Sequence, residues 1–428
     1  MSSTVLSPRR RALARTPRAR GWTVVASQAV ANLGFYAVVP FLTDHLAGGM
    51  GLSAGLVGVV LGVRTAAQQG LFVVGGTLAD RFGPRALGLA GCALRVLGFL
   101  LLGVGTSYPA VLVAAALTGL GGALFSPAFE STLTRVAGEE SGAGRRAWFA
   151  RFAAVGETGA LVGPALGGLL LGVSFLAVCL ISAGLFLTLG LLLGLAMPRR
   201  APAQPRAVGS WRLALANRRF LAFAALYSGC LFTWNQLYFA MPLELSAHPD
   251  AVAVTALMFA LASLVVAVLQ IPVTRWVGER PLGSAIPLGF LVMAASMGVV
   301  PLARELGAPP AAAVVAAAVV LAAGHMVAVP TALAAVAELA GTDPPGAYHG
   351  LLATCGGAAV LLGNALLGPL LAPAEHGVPA LGWAVLAAVP ACCALGLRLL
   401  LRNDRTDRHH RAVAGPRRAG AASRKEIP

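Results

Sequence analysis

Twelve apolar runs, each long enough to cross a bilayer, fill this 428-residue chain and decide what it can fold into. They lie at about residues 22–47, 53–79, 86–106, 109–135, 148–171, 174–197, 219–243, 251–274, 283–303, 310–336, 348–372 and 378–401. A hydrocarbon core about 30 Å thick takes about 20 residues of helix to span, so each run is a spanning candidate. The connections are too short for extramembrane domains, and backbone in hydrocarbon must satisfy its own hydrogen bonds, so the runs are expected to be helices and not barrel strands. Composition agrees, with 57% apolar and 11% charged residues against roughly 25% charged in soluble domains. The expected fold class is an all-α polytopic membrane protein with twelve transmembrane helices. A Pro- and Arg-rich stretch divides it into a basic tail (1–21), a first six-helix bundle (22–197), a linker (198–218), a second six-helix bundle (219–402) and a second basic tail (403–428).

The net charge of +16 would suggest nucleic acid if it formed a patch, but it sits between the apolar runs and at the ends. Alternate connections carry twenty-five Lys and Arg on one side and Arg304 alone on the other. By the positive-inside rule both termini and the linker face the cytoplasm of a plasma (inner) membrane. The tails are read as orientation signals able to touch anionic membrane lipid, with no nucleic-acid partner. Ser7-Pro8-Arg9-Arg10-Arg11 looks superficially like a twin-arginine signal, but the run after it is too long for a signal segment. Six cysteines lie inside apolar runs without CxxC spacing, so neither a disulfide framework nor a metal site is expected. No P-loop or nucleophile elbow is present. The chain is therefore expected to be neither an ATPase nor an enzyme, to carry no cofactor, and to draw energy from an ion gradient.

Between the second and third runs stands Gly76-Thr77-Leu78-Ala79-Asp80-Arg81-Phe82-Gly83-Pro84-Arg85. This closely resembles the loop signature of the major facilitator superfamily, with Gly76, Asp80, Arg81, Gly83 and Arg85 as the gating-loop residues the resemblance implies. A worn copy, Ile271 to Arg280, occupies the corresponding connection of the second half, with Arg275 where the first has Asp80. Gly163-Pro164-Ala165-Leu166-Gly167-Gly168 and Gly368-Pro369-Leu370-Leu371-Ala372-Pro373 form a second internal pair, 205 residues apart. Both support two pseudo-symmetric bundles. The run Gly159 to Gly168 resembles the fifth-helix motif of the superfamily's exporters, where Gly159, Gly163, Pro164, Gly167 and Gly168 would allow close packing and bending, although Ala150 replaces an earlier Gly of that motif. Arg64 to Gly70 is similar to bacterial multidrug-efflux members. The arginine frequent in the family's fourth span is missing between Val113 and Gly119.

A charge at bilayer depth costs about 2.5 to 3.5 kcal/mol on insertion scales, which makes Arg64, Arg95, Glu130, Arg151, Glu157 and His325 functional candidates. Glu157, Glu130 and His325 are the proton-coupling candidates, Glu157 foremost because it falls near the midplane; a structural pair with Arg151 or Arg95 is its alternative. Asn32, Tyr36, Gln68, Gln69, Trp234, Asn235, Gln236 and Tyr238 are candidates for lining a largely apolar substrate cavity, helix packing being the alternative for each. The expected function is proton-coupled export of small lipophilic molecules by alternating access. The alternatives are a proton-coupled uptake permease for a polar metabolite, or a membrane sensor or scaffold without transport.

Overall fold

The computed structural model describes residues 17–71, 78, 82–138, 142–196, 210–278, 280–341, 345–374 and 377–414. Long helices dominate these residues, and ten of them are long and apolar enough to cross a membrane. The first half comprises α1 (Pro17–Val38), α2 (Ala54–Gly70), α3 (Pro84–Val104), α4 (Tyr108–Gly138), α5 (Gly142–Leu171) and α6 (Phe175–Ala196). A short helix, Ser210–Ala216, precedes the second half: α7 (Arg218–Asn235), α8 (Ala251–Gly278), α9 (Leu282–Glu305), α10 (Pro310–Ala340), α11 (Pro345–Leu367) and α12 (Ala380–Ala414). The two outside the ten are α2, with 17 described residues, and α7, with 18 residues that begin on Arg218 and Arg219.

Each half is a six-helix bundle, and the pairings repeat six helices on. The α1–α5, α1–α6, α2–α4, α3–α4 and α3–α6 contacts recur as α7–α11, α7–α12, α8–α10, α9–α10 and α9–α12. The halves meet along two seams related by the same shift, α2–α11 and α5–α8. Such close crossings need small residues, because between helices in lipid it is van der Waals packing and not water exclusion that binds. A methyl group at Gly163 would lie 2.6 Å from Tyr36 Cβ, and one at Gly58 would run into the Asn364 carbonyl. Outward faces are apolar, as Ile181, Leu187, Leu191 and Leu192 show on α6. In water this would be an aggregation surface; in a bilayer it is the face lipid requires.

The first and seventh spans do not continue as single helices to the far end of the bundle. At Pro40, α1 passes into a 3-10 turn (Val39–Phe41), a short helical turn and a π turn (His45–Gly49). After Asn235 the chain makes successive i→i+3 turns from Thr233 to Phe239 before the short helix Ala240–Glu244. A break frees backbone carbonyls that hydrocarbon cannot satisfy. The two breaks answer each other, since Thr43 Oγ1 donates to the Tyr238 carbonyl across the halves.

The α5–α8 seam is closed at this far end, where Gly168 faces Val252 and Ala256. Toward the end that carries Arg85, Arg275 and Arg280, α8 packs Val273 and Val277 against Val327 and Ala285, while Ala267 and Thr274, on the stripe that continues Val252 and Ala256, are exposed. The bundles therefore touch at the far end and part along this seam at the basic end.

Candidate functional site

Four helices bring polar groups to the centre of the interface. Tyr36 of α1 and Tyr238, in the break after α7, face each other across the halves, within electrostatic reach of Glu157 on α5 and Arg64 on α2. Glu157 stands fifteen residues into α5 and fourteen from its end, about 21 Å from each at 1.5 Å per residue. Neither arginine expected as its alternative partner is available. The Arg151 guanidinium lies 5.5 and 5.4 Å from the Trp22 and Trp148 ring centres. That of Arg95 lies 5.1 Å from each of Phe35, Phe125 and Phe186. Glu157 thus has no ion pair among the described residues and is partly buried.

Beside it, α1 and α5 are locked by Asn32, whose Nδ2 donates 2.9 Å to the Gly156 carbonyl and whose Oδ1 accepts from Gln28 at 3.2 Å. Gly159, Gly163 and Gly167 all face α1, with the Ala29 carbonyl, Tyr36 and the Ala37 carbonyl respectively in the space a side chain would need. Gly168 alone of this group faces α8, and Pro164 lies within the continuous helix. The glycines therefore form a contact surface inside the first bundle, which fixes where Tyr36 and Glu157 stand relative to each other.

A second group bonds largely within itself, with Gln236 Oε1 left buried and unpaired. Asn364 Nδ2 donates to Asn235 Oδ1 at 2.9 Å, Gln236 Nε2 donates to the Phe232 carbonyl at 2.9 Å and to Asn364 Oδ1 at 3.3 Å, and Asn235 Nδ2 reaches Thr65 Oγ1 at 3.4 Å. All four side chains are buried. They tie α7 to α11 and both to α2 in the other half. Asn364 is absent from the sequence reading, and the repeat could have found it: the offset of 205 that aligns Gly163 with Gly368 also aligns Gly159 with Asn364. Gln69 packs at the same α2–α11 seam, 3.1 Å from where Gly357 would carry a Cβ. Trp234 is stacked on His325 at 4.1 Å. Glu130 is exposed on α4 toward the basic end. Gln68 packs over Gly122, as Arg95 does, and keeps its Oε1 unpaired.

Of the gating loop, Gly76, Asp80 and Arg81 lie outside the described residues. Gly83 adopts φ +83° just before the Pro84 that opens α3, and Arg85 donates 2.6 Å to the Gly194 carbonyl near the end of α6. At the far end the lone basic residue of that side has a partner the sequence reading did not assign. Arg304 on α9 binds Glu244, whose other oxygen accepts Val378 N–H at 2.8 Å and Trp383 Nε1 at 3.3 Å.

Comparison with known proteins agrees with this architecture. The Major Facilitator Superfamily model matches residues 24–364, and the chain belongs to that family of membrane transporters. An uncharacterised MFS-type transporter of Mycobacterium tuberculosis (strain ATCC 25618 / H37Rv) is 37% identical over 381 residues, covering 86% of this chain and 90% of that protein. The multidrug resistance protein MdtH of Aeromonas salmonicida (strain A449) is 30% identical over 384 residues, 88% of this chain and 94% of its own. Among solved structures, a peptide transporter POT in complex with sulfate superposes with a TM-score of 0.74 at 17% identity, covering 90% of this chain and 94% of its own. The fold class is thus the one expected, an all-α multi-span membrane protein of this family, with ten helices long and apolar enough to cross a membrane among the described residues.

Proposed function

We propose that this transporter is a secondary active exporter of small lipophilic molecules, driven by protons taken up at Glu157. The observation that carries this is a partly buried carboxylate at the middle of α5, without an ion pair among the described residues, within electrostatic reach of Tyr36 and Tyr238 where the two bundles meet. A permanent charge there costs about 2.5 to 3.5 kcal/mol, so the group favours cycling between protonated and ionised forms, and its protonation alters the interface at the point where the bundles meet. The aromatic surroundings of Phe35, Tyr36, Trp234 and Phe259 suit an apolar substrate, and MdtH relatives named for multidrug resistance favour export over uptake. Glu130 is a relay toward the basic end; His325, stacked on Trp234, is a second candidate for the coupling site.

The span count in this reading is twelve, with α2 and α7 as the second and seventh spans. The basic end with both termini and the linker faces the cytoplasm of the inner membrane, by the same excess of Arg that orients the sequence. Asp80 and Arg81 close that end when the substrate side changes. The test is flux in proteoliposomes with a panel of lipophilic dyes. An imposed proton gradient should drive dye out of the compartment facing the basic end while protons move the opposite way. Dye movement without proton movement would remove the coupling, and accumulation in the reverse direction would make the chain an uptake permease.

A further inference from the structure

Two arginines stand in the first bundle without a carboxylate partner. Arg64 is 5% and Arg95 3% exposed, and the Nε of each has no hydrogen-bond partner. What they do have is aromatic and neutral: the Phe35 ring lies 5.2 Å from Arg64 and 5.1 Å from Arg95, and Arg64 donates 3.0 Å to Thr65 Oγ1. The two guanidinium groups lie within electrostatic reach of each other. Two like charges kept this close in hydrocarbon are costly, and the fold makes special room for them. Arg95 lies across the glycines of α4, its Cγ 2.6 Å from where Gly121 would carry a Cβ and its Nη2 over Gly122, where Gln68 of α2 also packs. Gln68 Oε1 is itself buried and unpaired. Glu157, near the Tyr36–Tyr238 pair, makes no ion pair with either arginine and even when ionised offers one negative charge against two positive.

We propose that Arg64 and Arg95 form an anion-recognition end of the central site, so that the transported molecule is a lipophilic monoanion, an apolar body bearing one carboxylate, sulfonate or phosphate group. This rests on the transport reading above and names its substrate class. Arg64 touches the anion, since it lies within electrostatic reach of Tyr36 and Tyr238 between the bundles. Arg95, one layer deeper, is a positioning residue that holds Phe35 and adds its field. The aromatic surface beside them takes the apolar body. Guanidinium groups suit this task because their planar fork matches a carboxylate or sulfonate and their charge persists in an apolar site. With the basic end inside, export of such an anion moves negative charge outward, the direction an inside-negative potential favours.

The experiment is equilibrium binding to the purified full chain with three ligands that share one ring system: naphthalene-2-sulfonate, 2-naphthalenemethanol and 2-naphthylmethylammonium. The sulfonate should bind about tenfold or more tighter than the alcohol, the scale of a charge-assisted hydrogen bond, with the ammonium weakest. Arg64→Gln should bring the sulfonate-to-alcohol ratio near one, Arg64→Lys should restore part of it, and Arg95→Gln should lower it less. Should the Gln variants fail to fold, phenylglyoxal modification of Arg64 in the wild-type protein serves instead, and the sulfonate but not the alcohol should protect it. Displacement of the sulfonate by phosphatidylglycerol, and not by phosphatidylcholine, would make a lipid phosphate the anion; no displacement would leave a free amphiphile. Equal affinity for all three ligands, preference for the ammonium, or a sulfonate preference that survives Arg64→Gln overturns the proposal. Binding at equilibrium is blind to direction and to protons, so a chain that binds the sulfonate yet fails the flux test loses the export reading and keeps the anion site.

Discussion

Replacing Glu157 by Gln separates a coupling group from a structural one, and the structure sets the size of the effect. Glutamine keeps the volume and imitates the protonated acid. In a buried ion pair, removing one partner strands the other charge at about 3 to 5 kcal/mol, enough to deplete the folded protein. Here Arg151 is held by Trp22 and Trp148, and Arg95 by Phe35, Phe125 and Phe186, so no cation is stranded. The expected stability change is under about 1 kcal/mol, the scale of substitutions that break no buried pair or network. Transport should respond differently: uphill, proton-driven dye movement is lost, while exchange of labelled for unlabelled dye persists. Thermal unfolding in detergent reads the first quantity and pH-gradient-driven flux the second. Wild-type pumping by the Gln variant would remove Glu157 from the mechanism. A collapse in folded yield that neutralising Arg151 or Arg95 repairs would show an ion pair instead.

Removing the Thr43 hydroxyl (Thr43→Val) should cost one interbundle hydrogen bond, about 1 kcal/mol, and move the conformational equilibrium about fivefold away from the far-end-closed state, read by electron-spin distances between labels on α1 and α7. Gly163→Leu should destabilise by at least about 1 to 3 kcal/mol through overpacking, because even a Cβ there meets Tyr36 Cβ at 2.6 Å; a lowered unfolding temperature checks it. Arg304→Met should cost about 3 kcal/mol by leaving the buried Glu244 carboxylate without its cation, and adding Glu244→Gln should recover part of that loss in the same unfolding assay. Cysteines placed at Ser3 and Ser210 should resist an impermeant thiol reagent in intact cells if both face the cytoplasm, and labelling from outside would reverse the orientation.

The helices were legible because hydrocarbon imposes length and apolarity on every residue of a span, and the two-bundle arrangement because the repeat leaves its mark at Gly163 and Gly368. The breaks after Val38 and Asn235 were not. Pro40 sits in an apolar run like the helical Pro127 and Pro164, and nothing local distinguishes them; what differs is Thr43, which satisfies a carbonyl freed nearly two hundred residues away. The polar residues were found as a set, but their separate roles depend on partners supplied by other helices. Gln236 and Asn235 read as separate polar groups until Asn364 is placed between them. Arg95 looks like a partner for a carboxylate until three phenylalanines from α1, α4 and α6 surround it.

Those partners also set how hard the bundles are to move. Two hydrogen bonds cross between the halves near the centre and far end: Thr43 with the Tyr238 carbonyl, and Asn235 with Thr65. Both use residues at the break that ends α7, so that break is the latch. At about 1 kcal/mol each they amount to about 2 kcal/mol, a cost that one charge moving through a membrane potential, worth about 2.3 kcal/mol per 100 mV, can offset. A buried ion pair in the same place would cost more to break and would hold one state too firmly. The neutral amides and hydroxyls at the seam therefore match a transporter that must open it every cycle, while the unpaired Glu157 and Arg64 beside the latch are the groups whose change of charge or of ligand can release it.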